Sequence, residues 1–467
     1  MSEYDKTVDD LVNALNGRKG RLKENQAYYE SEYRLKALGL STPPELRHMT
    51  AAIGWPRMYL DSLEERLDLE DFRNADQAEV DERLRSWWQA NFLDAESGLG
   101  HLEAMIHGVA YITVAAPGDD DDNPDIPIIR VESPFNFIAK QNKRTKKLDE
   151  GLRLYKHPTI PKEDMATLLL PDRTVYLARG GPFAQWKVDE VIQHDLDRVL
   201  ATQLVNRERL TESYGKSEIT PELRSATDAA SRIMMNLQTA SELMAIPQRV
   251  LFGIDRDELP TDPDNPGAAM EAYMARILAF ENENGKGMQF SAADLRNFTE
   301  SLQELAKQVA SYTGLPPQYL SFSSENPASA EAIKSAESRL VKKTERKARM
   351  FGQAWEDTMR LGMLVMDGSI PKDAYQLESV WRDPSTPTFA AKSDGVVKLQ
   401  QAGIIPVEQA RIEMGYSDVQ RKQMREWDKD DPVAQMNALL LDGTAKTNEQ
   451  IGKVDPNAAN PATQKTA

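Results

Sequence analysis

The chain has 467 residues, enough for several domains around a sizeable buried core, and no cysteine, which excludes disulfides, thiol nucleophiles and cysteine-ligated metals. Its net charge of −17 opposes a role that rests on gripping nucleic-acid phosphates, although an acidic protein can still let DNA slide past without sticking. No apolar run approaches the roughly 18 residues of a membrane span, and the acidic, amphipathic start MSEYDKTVDDLVNALNG does not read as a signal peptide.

Residues 6–107 read mostly as helix. A break is expected within 35–45, at Gly39 and Pro43–Pro44. A helix from Pro56 to Leu67 should end near Asp68, a third carries Leu84, Trp87 and Trp88, and a fourth runs from about Glu96 to His107. Adjacent tryptophans cannot share one helix face, so one ring is expected to meet another segment. From Val109 the texture changes to short β-branched or aromatic runs at 110–114, 126–131, 152–155, 173–177 and 185–188, separated by Gly, Pro and Asp. They predict a small β-rich domain over 109–205, with Asp119–Asp122 at a solvated hairpin tip.

Two longer helices follow. Leu223, Ala226, Ala230, Ile233, Leu237, Ala240 and Met244 recur at steps of three and four, with Thr220 and Pro221 as N-cap and first residue and Pro247 as the stop. Leu295, Phe298, Leu302, Leu305, Val309 and Tyr312 repeat the pattern. There Ser291 and Asp294 suit a capping box, and Gly314, Pro316 and Pro317 end the helix. Matched narrow seams suggest rods that pack against copies of themselves. The same spacing fits an ordinary helical hairpin inside a globular core.

Between these helices lies an acidic insert, 246–290. Strands are expected at Arg249–Phe252, which includes Leu251, and at Met288–Phe290, with a helical piece Ala268–Phe280 carrying Tyr273. Beyond the second helix, Leu315–Glu325 is a prolyl and seryl loop. Asn326 and Pro327 then cap a long helix towards Met366. Its middle is basic: Lys334, Arg339, Lys342, Lys343, Arg346, Lys347 and Arg349 face only Glu337 and Glu345. A strand at 375–381, short helices over 388–440 and a disordered tail from about Gly443 complete an α+β, mostly helical chain.

No enzyme signature emerges. Gly215-Lys216-Ser217 lacks the upstream glycine of a phosphate loop, because Leu210 stands there. The five histidines form no zinc motif and are expected to be structural, and no nucleophile elbow occurs. No cofactor or metal site is expected.

Several extended stretches resemble tailed-bacteriophage portal proteins of the SPP1-like family, most closely the actinobacteriophage branch. They are IGWPRMYLDSLEERL (53–67) with DFR (71–73), GVAYITV (108–114), GKSEIT (215–220), TDAA (227–230), ELMAIPQR (242–249), GLPP (314–317) and NPASAEAI (326–333). The resemblance covers roughly 20–430. It implies a ring of about twelve subunits at one capsid vertex, through whose channel DNA is packaged and ejected. The implied regions are a wing (1–218 and 327–385), stem helices (219–245 and 291–313), a clip (246–290), a tunnel loop (314–326), a crown (386–442) and the tail (443–467).

The implied site residues follow from these regions. The stem seam takes Leu223, Ala226, Ala230, Ile233, Leu237, Leu295, Phe298, Leu302, Leu305 and Val309. The tunnel loop takes Leu320, Ser321, Phe322, Ser323, Ser324, Glu325 and Asn326, and the clip takes Arg249, Leu251, Phe252, Tyr273 and Phe290. The implied partners are further copies, the major capsid protein, the terminase large subunit, a head–tail adaptor, a scaffolding protein and double-stranded DNA in transit, with no membrane. No catalysis and no cofactor are implied, and the place is the virion, reached through the host cytoplasm. The basic helix 334–349 would brace neighbours, face DNA, or be a solvated face. Two stretches depart from the family pattern: Asp197 stands where glycine is usual and Leu200 where proline is, and Tyr28-Tyr29 is followed by Glu30-Ser31 where a glycine is common. A helical head scaffold or adaptor, and a packaging enzyme, remain the alternatives, the missing phosphate loop counting against the latter.

Overall fold

The computed structural model describes residues 4–33, 51–74, 81–118, 121, 123–160, 163–181, 184–212, 214–244, 249–252, 277–280, 295–320, 330–385, 389–416 and 418–430. The chain divides into two compact units, 1–385 and 386–467.

The first unit opens with helices α1 (Asp5–Tyr29) and α2 (Trp55–Glu64), then strand β1 (Leu69–Arg73), α3 (Glu82–Ala90) and α4 (Leu93–His107). Asp81 caps α3, its carboxylate accepting from the amides of Arg83 (3.1 Å) and Leu84 (3.3 Å). The strand β1 lies just past the expected end of a helix. It exists because β12 (Glu378–Trp381) pairs with it antiparallel from the far end of the unit, Leu69 opposite Trp381. Both adjacent tryptophans are buried. Trp88 meets Phe72 and Trp355 edge-on, and Trp87 lies under Arg83 and against Gly362.

The β-rich region forms two sheets. One has three strands in the order β3-β2-β9 (Ile128–Glu132, Val109–Ala115, Ala201–Val205). The other is a five-stranded antiparallel meander, β4 (Phe137–Gln141), β5 (Leu148–Lys156), β6 (Asp164–Leu169), β7 (Arg173–Arg179) and β8 (Lys187–Gln193). Strands β4, β6 and β9 escape the sequence pattern because FIAKQ, DMATLL and ATQLV show no clean alternation. Strand β6 is central in its sheet, and its last four residues are all buried. Val8, Leu11, Val12 and Leu15 of α1 pack with Ile138, Leu152, Leu168 and Leu177 of this sheet. Of the acidic run only Asp121 is described, exposed between β2 and β3; Asp119, Asp120 and Asp122 lie outside the described residues.

Helices α5 (Pro221–Met244) and α6 (Arg296–Thr313) pack against each other, and α7 (Ala330–Asp367) crosses the three-stranded sheet. Leu223, Ala226, Ala230, Leu302, Ala306, Val309 and Ala310 join α2, α3, α4 and α7 in the main core. The cap of α5 is confirmed, the Leu223 amide reaching Thr220 Oγ1 at 3.4 Å, and Gly314 ends α6 at a φ of +80°. Helix α6 begins at Arg296, and the proposed capping pair Ser291 and Asp294 lies outside the described residues.

Within the insert, β10 (Arg249–Phe252) pairs in parallel with β11 (Ile277–Phe280). This corrects the expectation of a helix through Phe280. The four apolar residues of β11 suit either state, and the partner strand decides. Met288–Phe290 lies outside the described residues.

The second unit is helical: α8 (Phe389–Gln401), α9 (Val407–Met414) and α10 (Asp418–Asp430). Arg411 joins α9 to α10 through Asp428 at 2.7 Å, and Glu408 faces Arg421 and Arg425. No helix among the described residues is long and apolar enough to cross a membrane.

Candidate functional site

The paired helices α5 and α6 are the clearest functional element of the sequence, and their feet are fixed by buried charge. Glu218, three residues before α5, accepts from Lys347 Nζ of α7 (2.5 Å), Tyr59 Oη of α2 (2.7 Å) and Asn206 Nδ2 (3.0 Å). Lys347 also donates to Asn206 Oδ1 at 2.7 Å, and Lys343 to Tyr59 Oη at 3.0 Å. Side chains of Lys347 and Glu218 are only 5% and 6% exposed. Burial alone pushes the Glu218 carboxyl upward; Lys347, Tyr59 and Asn206 outweigh it and bring its pKa down to about 2. Four segments therefore meet on one carboxylate.

The backbone beneath is equally constrained. Gly108 and Gly215 both have positive φ, +98° and +72°, and their chains touch: a Cβ on Gly215 would lie 1.8 Å from Gly108 O. Hydrogen bonds from Asn206 N to Gly108 O (2.8 Å), Lys216 N to Asn206 O (2.7 Å) and Glu218 N to Met105 O (2.9 Å) stitch the crossing. The glycine of Gly215-Lys216-Ser217 thus serves a chain crossing, not a phosphate loop.

A second buried pair fixes the foot of α6. Arg66 and Glu337, each 9% exposed, stand 3.4 Å apart, and Tyr319 Oη donates to Glu337 Oε1 at 2.8 Å. Tyr319 belongs to a helical turn, Pro317–Leu320, that follows α6 directly. Arg339 donates to Ser311 O at 2.7 Å, close to the carboxyl end of α6.

Helix α1 clasps α5 from the other side. Tyr28 Oη donates to Asp228 at 3.0 Å, Tyr33 bonds Ser231, and Arg224 pairs with Glu24 at 3.1 Å beneath the Tyr28 ring. Asp228 and Arg224 are therefore engaged inside the subunit.

The expected site residues are distributed as follows. Leu223, Ala226, Ala230, Leu302 and Val309 are buried, while Ile233, Leu237, Leu295, Phe298 and Leu305 are half-buried. Tyr312 is 48% exposed, so it leaves the seam. Along α5 the buried stripe instead passes through Thr227, Ser231, Met235 and Thr239. A hydrophobic pattern misses these residues because the polar ones satisfy themselves locally, as Thr227 Oγ1 does on Leu223 O at 2.7 Å. Leu320 is buried in the core and ends a helical turn, so it anchors the following segment. Ser321, Phe322, Ser323, Ser324, Glu325 and Asn326 lie outside the described residues, as do Tyr273 and Phe290. Arg249, Leu251 and Phe252 belong to β10.

The basic helix is not a uniform solvated face. Lys343 and Lys347 are tied inward, while the exposed Arg339 reaches Ser311 O and Arg346 reaches Glu208 O at 3.1 Å. Lys342 pairs with Glu345 at 2.7 Å, and Lys334 and Arg349 point outward. His101 is fully buried, stacked on Phe351, and accepts from Trp355 Nε1 at 2.9 Å; burial lowers its pKa to about 3. His107 is likewise lowered by burial, to about 4.

Comparison with known proteins converges. The family model for phage portal protein, SPP1 Gp6-like, matches residues 9–435. The chain is 47% identical over 438 residues to the portal protein of Mycobacterium phage D29 and 46% identical to that of Mycobacterium phage L5. Each match covers 92% of this chain and 90% of the relative.

Proposed function

The chain belongs to the SPP1 Gp6-like family of phage portal proteins, and from that premise we propose that it closes into a ring of about twelve copies at one vertex of the capsid. DNA passes through the ring during packaging and ejection. The observation that carries this reading is the pair α5 and α6. They pack side by side, rooted in buried ion pairs, and the segment between them includes the parallel β10–β11 pair.

In this reading α5 and α6 are the stem and 246–290 is the clip, which docks the terminase and later the head–tail adaptor. Residues 314–326 form the tunnel loop, held at Leu320 and Tyr319. Residues 1–218 and 327–385 form the wing against the capsid, and 386–442 the crown. The protein acts mechanically and has no catalytic activity. The half-burial of Ile233, Leu237 and Leu305 in the single chain supports a stem seam that neighbours complete.

On these helices Arg224 and Asp228 are engaged with α1. Among the described residues the exposed acids Glu222, Glu300 and Glu304 are matched by the exposed bases Arg232, Arg296 and Lys307, which leaves no net positive charge to grip phosphate.

Negative-stain imaging and native mass measurement test the proposal: a holed ring is expected, and a monomer or an open filament at all concentrations would sink it. Leu237→Asp should prevent ring closure, because that side chain keeps some exposed surface within one chain for a neighbour to cover, and a melt of the isolated monomer checks that it still folds.

A further inference from the structure

Phe92, at the corner between α3 and α4, is 77% exposed and has a φ of +56°. The left-handed region is disfavoured for a bulky side chain, and an aromatic ring left in water adds nothing to offset it. The corner is nevertheless rigid. Asn91 Nδ2 donates to Trp87 O and Pro127 O, both at 2.9 Å, and Asn91 Oδ1 accepts from the Ile129 amide at 2.8 Å. Phe92 O accepts from the amides of Ala95 and Glu96, both at 3.1 Å. The backbone that carries the ring is therefore fixed before any partner arrives.

Leu99, 57% exposed, stands seven residues further on, two turns or about 10 Å along α4. Ala95 and Glu96, also exposed, fall between them on the same face. Carboxylates flank this stripe. Glu64 of α2 lies over Gly98, in the space a Cβ would take. Burial raises the pKa of Glu64, and Asp61, Glu65 and Asp68 stand near enough to raise it further. Arg57 answers Asp61 at 3.4 Å and Arg382 answers Asp68 at 2.6 Å. Glu64, Glu65 and Glu96 meet no cation among the described residues.

A partner for such a face must bring apolar cover and positive charge together. Nucleic acid and anionic lipid surfaces bring negative charge and are repelled. This chain's own β4–β5 tip exposes Lys143, Arg144, Lys146 and Lys147, with no exposed apolar residue among them to cover Phe92. The spacing along α4 suits a helix that lays its own i, i+3 or i+4, and i+7 residues beside it.

We propose that the α4 stripe from Phe92 to Leu99, with Glu64, Glu65 and Glu96 at its margins, docks a cationic amphipathic helix of another protein. Phe92 is the preset apolar anchor, and the glutamates select lysine or arginine on the flanks of the incoming helix. The proposal goes beyond the ring reading and does not depend on it.

The test titrates the full chain, by fluorescence anisotropy, into a labelled helical peptide of leucine and lysine. The peptide is about 18 residues, or five turns, long and has its leucines on one face. The wild type should bind it and should not bind the same peptide with glutamate in place of lysine. Affinity should fall about tenfold in Phe92→Gly, in Leu99→Ser, and in a chain carrying Glu64→Lys and Glu96→Lys. The melting temperature of Phe92→Gly should hold or rise, because glycine accepts the left-handed corner without strain. A wild type that ignores the peptide would overturn the proposal. So would unchanged affinity in Phe92→Gly and Leu99→Ser, or equal binding of a leucine-free lysine peptide. A lower melting temperature in Phe92→Gly would make the ring a structural residue and overturn its role as anchor. Wild-type rings that are lost in the chain carrying Phe92→Gly and Leu99→Ser would overturn the proposal too, and give the stripe to a neighbouring copy. Absence of wild-type rings would refute the proposed function and leave the peptide result to stand by itself.

Discussion

In the first unit, charge is buried and apolar surface is inside: Lys347 and Glu218 meet in the core, and Trp87, Trp88 and Trp355 are at most 1% exposed. In the second unit the distribution is reversed. Its ion pairs from Arg411 to Asp428 and Glu408 sit at or near the surface, and Arg421 beside Glu408 is its one buried charged residue among those described. Val396 is its one fully buried hydrophobic residue among those described, while Ile404, Val419 and Trp427 are 68%, 76% and 59% exposed. The first unit closes on its own core, so a buried charge such as Glu218 needs its partners in place. The second has little hydrophobic burial of its own, and surface ion pairs contribute little to holding helices together. The difference predicts two tiers of stability within one chain.

The sharpest way to break that comparison is to remove one cation from each unit. Lys347→Met strands Glu218 in the core and should cost about 3–5 kcal/mol, whereas Arg411→Met should cost about 1 kcal/mol or less. Adding Glu218→Gln to Lys347→Met should recover much of the loss. Denaturant melts of the monomer decide, and equal costs in the two units would abolish the distinction.

Large aromatics give a parallel contrast. Trp355→Ala empties a site among Trp88, His101 and Phe351, and should cost about 3–5 kcal/mol; Trp427→Ala on an exposed face should stay within about 0.5 kcal/mol.

Between pH 7 and 5, histidine protonation should act on the first unit alone, because the second contains no histidine. Burial holds His101 near 3 against an ordinary 6.5, so it is neutral in the folded chain while the unfolded chain takes up a proton below 6.5. Its contribution is complete above pH 6.5 and is lost as pH falls towards 3, at about 1.4 kcal/mol per pH unit. His107 acts in the same direction. Melting temperatures from pH 7 to 5 should fall, and His101→Gln, which can still accept from Trp355, should flatten the slope.

The smallest effects concern the backbone. Ser31 and Asp197 adopt φ values of +60° and +56°, the left-handed region; the family resemblance leads one to expect glycine at Asp197 and within the pair Glu30-Ser31. Ser31→Gly and Asp197→Gly should each raise stability by about 1 kcal/mol, less for the aspartate, which tolerates that region better. A loss in either variant would mean that the side chain contributes more than its conformation costs.

Helices α5 and α6, the N-terminal cap of α5, the C-terminal stop of α6 and the terminal strand near 375–381 were legible in the sequence, because periodicity, Thr220-Pro221 and Gly314 are local signals. The strand β1 was not, since Leu69–Arg73 becomes a strand only when β12 arrives from more than 300 residues away. Nor were β6 and β11, whose apolar runs carry no period of two. Among charges, the seven bases of α7 looked alike in sequence. Which of them turn inward depends on Glu218, Tyr59 and Ser311, all placed by distant segments. The familial identity was legible in extended stretches, two of which, 53–67 and 215–220, supply Tyr59 and Glu218 to the buried site.

The touching glycines at 108 and 215 also bear on the order in which the chain folds. Their contact closes a loop of about 100 residues, a slow and entropically costly event compared with forming a helix. Because Lys216 bonds Asn206 and Asn206 bonds Gly108, strand β9 must already lie beside β2 before the start of α5 can be stitched down. The three-stranded sheet therefore acts as the template, and the start of α5 docks late, after synthesis has passed it. Under the ring proposed above, a nascent chain could not offer a finished α5–α6 pair to its neighbours before this sheet is complete, which would guard against premature polymerisation of half-folded subunits.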